Sequence, residues 1–212
     1  MRLGVVLCVL VLMALAVSVS IAQDIPVTNI TVVQAIEDIT LDMENARIFN
    51  TDNLSCEVDA SYSGKDELLS SSYIQFDISD LQISDNDVCV LLLKATSVEK
   101  RASDESAEII LSFMSSEWTE DSSFTDLANA FYATGLSSDA MLQAATYDTG
   151  SIFAFDVSNR VKEVSSADDY ISFILMASGN TDYRVDFKSR ETGEGPCLLI
   201  MPYPLPITTV EG

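Results

Sequence analysis

Tyr73-Ile74-Gln75-Phe76-Asp77-Ile78-Ser79 is the stretch whose reading decides the fold, and Ile152-Phe153-Ala154-Phe155-Asp156-Val157-Ser158 repeats its pattern later in the chain. In both strings apolar or aromatic side chains fall at every second position, the period of a half-buried β-strand. Gln75 and Asp77 in the first, and Ala154 and Asp156 in the second, point to the other face. Each string runs into a Ser-containing polar corner, so Phe76, Asp77, Phe155 and Asp156 read as structural residues of a reused strand-to-turn junction. The segments around the two strings do not match. They are therefore two strands of one sandwich, not tandem domains.

Working outward, strand-like segments recur at 30–36, 39–43, 54–61, 72–78, 88–97, 109–114, 151–157, 170–177, 183–187 and 197–201, separated by Ser, Asp, Asn and Gly clusters. Many short strands with few long helical patterns predict an all-β fold, an antiparallel jelly-roll β-sandwich. Residues 122–145 break the pattern. Phe124, Leu127, Ala128 and Phe131, then Ala140, Met141 and Ala144, fall at mixed helical spacing, which predicts one long connection with short helices. A further helical turn is predicted at 159–164.

Met1-Arg2-Leu3 and the apolar run behind it, ending at Ser20-Ile21-Ala22, read as a secretory signal peptide over residues 1–22. The run is short for the roughly 20 residues of a membrane span. The expected division is then a lead-in at 23–34, a β-sandwich at 35–203 and a tail at 204–212, in which Pro202, Pro204 and Pro206 force an extended exit. An extracellular or cell-surface location follows, with no membrane span once the signal is cleaved. Asn29 and Asn53 head sequons for N-linked glycans.

With 33 acidic and 11 basic residues, the net charge of −22 repels nucleic acid and anionic membrane surfaces. The absence of histidine excludes Ser-His-Asp and Cys-His nucleophiles and imidazole metal sites. Cys56, Cys89 and Cys197 sit inside apolar segments, away from zinc-ligand spacing; in an oxidising exterior one pair bridges, with the pairing left open. No cofactor is required. Acidic clusters at Glu37-Asp38, at Asp77 and Asp80 with Asp85 and Asp87, and at Asp168-Asp169 supply the oxygen ligands that a structural calcium ion takes, with its ligands unassigned.

Read in order, Ser72 to Ser79, Val88-Cys89-Val90-Leu91-Leu92-Leu93, Trp118-Thr119-Glu120, Phe155-Asp156-Val157-Ser158, and Val185 to Glu191 followed by Pro196-Cys197-Leu198 resemble the DNRLRE domain family, also described as carbohydrate-binding module family 96 and known from disaggregatase-related proteins. The resemblance spans about residues 35 to 203. Gln75 stands where arginine is common in that family, and 124–129 departs from its usual stretch. The resemblance implies an exported jelly-roll sandwich that binds a polysaccharide or cell-envelope glycan.

Trp118, the single tryptophan, is the first candidate for stacking on a sugar ring, with core packing as the competing role. Tyr183 is available on the same grounds. Arg184, Lys188 and Arg190 offer a shared polar face for sugar hydroxyls or a carboxylate. Ser189, Arg190 and Glu191 alternatively bracket the next loop through ion pairs and hydrogen bonds, since a guanidinium suits fixed forked bonding.

The leading expectation is a noncatalytic carbohydrate-binding or cell-envelope module. A second is a structural surface protein that assembles with copies of itself, or with other surface proteins, by strand addition at open sheet edges. A third is a glycan-cleaving enzyme working through paired carboxylates, a pattern that 33 acids supply by chance.

Overall fold

In a computed structural model, described for residues 30–59, 67–100, 108–114, 118–133, 140–143, 147–179 and 182–202, the period-two segments become twelve strands. In chain order they are β1 (Thr31–Gln34), β2 (Glu37–Asp42), β3 (Arg47–Phe49), β4 (Asn53–Asp59), β5 (Glu67–Asp77), β6 (Val88–Lys100) and β7 (Glu108–Met114). There follow α1 (Phe124–Ala133), β8 (Ala140–Gln143), β9 (Ile152–Asp156), α2 (Ser158–Ser165), β10 (Tyr170–Ser178), β11 (Tyr183–Lys188) and β12 (Cys197–Met201). The signal segment, Asn29 and the tail 204–212 lie outside the described residues, all of which belong to one compact unit, Thr28–Pro206.

Every pairing among the described strands is antiparallel. One layer runs β1-β12-β6-β9, and the other carries β8-β7-β10-β5 with β2, β3, β4 and β11. Most neighbours are distant in sequence, and the first strand lies beside the last, so the antiparallel β-sandwich read from the sequence is the fold. The sheet begins at Thr31, inside the expected lead-in.

The two diagnostic strings stand in opposite layers and send their apolar faces into one core. Phe76 packs edge-on against Phe173 at 6.3 Å, and Phe153 against Phe187 at 5.0 Å. The polar corners are the same device twice. Asp77 Oδ1 accepts from the Ser79 amide at 2.9 Å and its hydroxyl at 2.6 Å, and Asp156 Oδ1 accepts from the Ser158 amide at 3.1 Å and its hydroxyl at 2.6 Å. Such an Asx turn replaces ladder bonds where the strand stops.

The second face of the β5–β10 layer is not left to solvent. Tyr73, Ile174, Met176, Ile39 and Leu41 are capped there by Trp118 and by Leu127 of α1, forming a second apolar cluster. Helix α1 starts from Ser123, whose hydroxyl donates to Asp126 Oδ2 at 2.7 Å and accepts the Asp126 amide at 3.2 Å. The expected helix is present, as is α2 at the predicted turn. The remainder of that connection corrects the reading: Ala140–Gln143 is a strand paired to β7. Apolar spacing alone does not separate a four-residue edge strand from a helical turn.

Strand β6 passes between layers. Its first half pairs with β12 and β9 and its second with β11, and the register slips at Thr96, which is extra against the Asp186–Phe187 step. Such a bulge bends a strand around a sandwich corner.

The three cysteines are free, which corrects the expected bridge. Cys89 lies opposite Ile200 and Cys197 opposite Leu92, three positions apart on paired strands and on alternate faces. That separation, about 10 Å, exceeds the roughly 7 Å Cα limit of a disulfide. Burial pushes the Cys56 thiol up to about 12 and Cys89 to about 11, so both behave as small hydrophobes.

Candidate functional site

Trp118 is 5% exposed, meets the Tyr73 ring edge-on at 6.0 Å and donates its indole N–H to Ser172 Oγ at 3.1 Å. Ser172 also accepts from Gln75 Nε2 at 3.2 Å, so one hydroxyl satisfies two buried donors. Tyr183 is 1% exposed, because it alternates inward with Val185 and Phe187. Neither ring offers a stacking surface, which corrects the reading of both as sugar platforms. Core packing, the competing role for Trp118, is the one the fold gives it, with Leu127 of α1 in the same apolar cluster.

Arg190 is also placed apart from Arg184 and Lys188. It opens the 3-10 turn Arg190–Thr192, just past the end of β11. Its amide donates to Asp38 Oδ2 at 2.8 Å, its Nε to Glu120 Oε1 at 2.9 Å and its Nη1 to the Ile36 carbonyl at 2.5 Å. Glu191 Oε1 lies 3.2 Å from the same Nε. Gly193, at φ 72°, closes the turn, and Gly195 lets the chain pass so near that a Cβ there would stand 2.6 Å from the Arg190 backbone. The turn is a bracket tying β2, the Trp118 segment and β11 together.

Arg184 and Lys188 do share a face, the outer side of the β4–β11–β6 ladder. Period two sends Asn53, Ser55 and Glu57 of β4 outward beside Lys188, Asp186 and Arg184 of β11. Asp186 is the centre: its Oδ1 accepts from Ser55 Oγ at 2.5 Å and Arg184 Nε at 3.1 Å, and its Oδ2 from Ser97 Oγ at 2.8 Å. The bulge at Thr96 brings Ser97 opposite Asp186, while Thr96 Oγ1 bonds Asn53 Oδ1 and the Asp186 carbonyl, both at 3.0 Å. Two of the Arg184 contacts, to Glu57 Oε2 and Ser55 Oγ, are long at 3.4 Å. Burial pushes the Glu57 carboxyl up, against the pull of Arg184.

At one end of this face Glu57, Asp59, Glu99, Lys100, Asp182 and Arg184 line a depression of ≈ 340 Å³, with Tyr183 beneath. At the other, Lys188 and Lys94 both reach Glu194 and hold its carboxyl below the ordinary value. Carboxylates, hydroxyls and a guanidinium thus alternate over three strands, an array able to bond vicinal hydroxyl groups. The sequence pointed to Arg184 and Lys188 and passed over Asp186, Ser55 and Glu57. Their alternation with buried neighbours was a usable signal; the pairing of β11 with β4 and β6 was not.

A comparison with curated proteins finds no match to the chain. The profile of carbohydrate-binding module family 96 matches residues 30–202, from the start of β1 to the end of β12. Since that match takes in every strand of the sandwich, the chain belongs to carbohydrate-binding module family 96.

Proposed function

We propose that this protein is an exported, noncatalytic module that binds a neutral polysaccharide across the outer face of the β4–β11–β6 ladder. Family membership supports the class of ligand, and the Asp186 array carries the location. A neutral glycan fits better than an acidic one because the chain carries a net charge of −22. With both candidate aromatic platforms buried, affinity rests on hydrogen bonds to ring hydroxyls, and Arg184 exchanges its long bonds to Glu57 and Ser55 for bonds to the sugar. The signal-like segment supports export. Probing the full chain against an array of neutral and acidic polysaccharides tests the reading. Binding confined to neutral glycans is expected, and absence of binding to every glycan overturns it.

A second reading, self-assembly by strand addition, is favoured by one observation. Val32 on β1 and Ile152 on β9 are 52% and 53% exposed, and both strands pair on one side only among the described residues. Sedimentation over a hundredfold concentration range tests it. A concentration-independent monomer removes this reading.

A further inference from the structure

Around the Arg190 turn stands a group of acids that the glycan reading does not use. Asp38, Glu120 and Glu191 each bring a carboxylate oxygen to one place, all within 4.8 Å of one another. They come from β2, from the segment after Trp118 and from the turn after β11, so only the folded chain assembles them.

Asp38 is the informative member. It is 1% exposed, and its Oδ1 is buried without a hydrogen-bond partner. Its one donor, the Arg190 amide, is spent on Oδ2. The group facing it is the Glu191 carboxyl, a second acceptor of like charge that reaches solvent on its other side. A buried carboxylate oxygen that faces a second acceptor, as Asp38 Oδ1 does, requires either a shared proton or a cation.

The local charge favours the cation. Four carboxylates, those of Glu37, Asp38, Glu120 and Glu191, act on this place, with Arg190 as the single guanidinium. Arg190 is already committed to Glu120, to Glu191 and to the Ile36 carbonyl, and it reaches Asp38 only through its backbone. One proton leaves most of that charge in place, whereas a divalent ion offsets two units. The ligand set is all hard oxygen. Oxygens no more than 4.8 Å apart are close enough to share one ion through calcium–oxygen bonds of about 2.3–2.6 Å, and calcium tolerates irregular geometry completed by water.

We propose that Asp38, Glu120 and Glu191 hold a calcium ion that locks the Arg190 turn to β2 and to the Trp118 segment. The ion takes Asp38 Oδ1, a Glu191 oxygen and a Glu120 oxygen, with water in its remaining positions. This proposal does not depend on the glycan reading, because the site lies apart from the Asp186 array.

The test uses the full chain stripped with EDTA and titrated with calcium chloride by calorimetry, alongside thermal unfolding with and without calcium. Wild type is expected to bind one calcium with a Kd of about 10⁻⁴ M, and 10 mM calcium to raise Tm by about 5–10 °C. Glu191→Gln separates the two accounts, since its amide can donate to Asp38 and keep the fold. It is expected to lose the calcium response, with affinity weakened at least about tenfold. No calcium heat and no Tm shift in wild type overturns the proposal and leaves a proton-sharing pair. An unchanged calcium response in Glu191→Gln also overturns it. If Glu191→Gln fails to fold, the wild-type titration decides by itself.

Discussion

Gly195 is the position where one added methyl group acts most directly on the Arg190 turn. A Cβ there would stand 2.6 Å from the Arg190 backbone, which has no flexible end to yield. Gly195→Ala is predicted to destabilise the fold by about 1–3 kcal/mol, read from denaturant unfolding. Asp38 gives a prediction in pH. Its folded value, about 7, lies above the ordinary carboxyl value of 3.8, so the folded state holds this proton more tightly than the unfolded chain does. In calcium-free buffer this group therefore favours the fold below about pH 4, and its contribution falls as pH rises to about 7 and then levels. Glu191, Glu120, Glu37 and Arg190 surround it and stay in place in Asp38→Asn. Comparing Tm of the two proteins from pH 4 to 8 isolates it: wild type should lose stability relative to Asp38→Asn across that window, and parallel curves contradict the assignment. Single residues were also where the sequence misled. Period two places Tyr183 inward, but nothing in the residues around Trp118 announces that α1 folds back over β5 and β10 to bury the indole against Tyr73.

At the scale of elements, the two Phe-Asp-[Ile/Val]-Ser corners invite a paired comparison. Asp77 bonds Ser79 alone, in an exposed turn. Asp156 orients a Ser158 hydroxyl that also receives the Cys89 amide at 2.9 Å, stitching the corner to β6. Asp156→Ala should therefore cost more than Asp77→Ala, with both near about 1 kcal/mol by chemical unfolding. Equal losses contradict the added role of Ser158. Strand existence and facing were legible here because period two is a local property, and Phe76, Phe155, Val185 and Phe187 all point as their alternation requires. What the sequence hid was pairing: the bulge at Thr96, the edge strand Ala140–Gln143 and the distance between Cys89 and Cys197 follow from which strands lie together. No local pattern encodes that.

For the whole molecule, a net charge of −22 is compatible with a sandwich whose few cations are spent in specific places. Arg190 binds the turn, Lys188 and Lys94 hold Glu194, and Arg184 sits in the Asp186 array. Among the described residues no helix is long and apolar enough to cross a membrane. Family membership was readable from motifs in sequence order, since those motifs mark the strand ends that frame the fold. The candidate face was half readable, through Arg184 and Lys188, because its other residues come from β4 and β6. The central claim is that glycan recognition rides on this face. Affinity of wild type and Arg184→Ala for the neutral polysaccharide bound most strongly on the array tests it, with Tm measured on both. The account predicts a loss of about tenfold or more in affinity for Arg184→Ala with Tm nearly unchanged. Wild-type affinity in Arg184→Ala contradicts it.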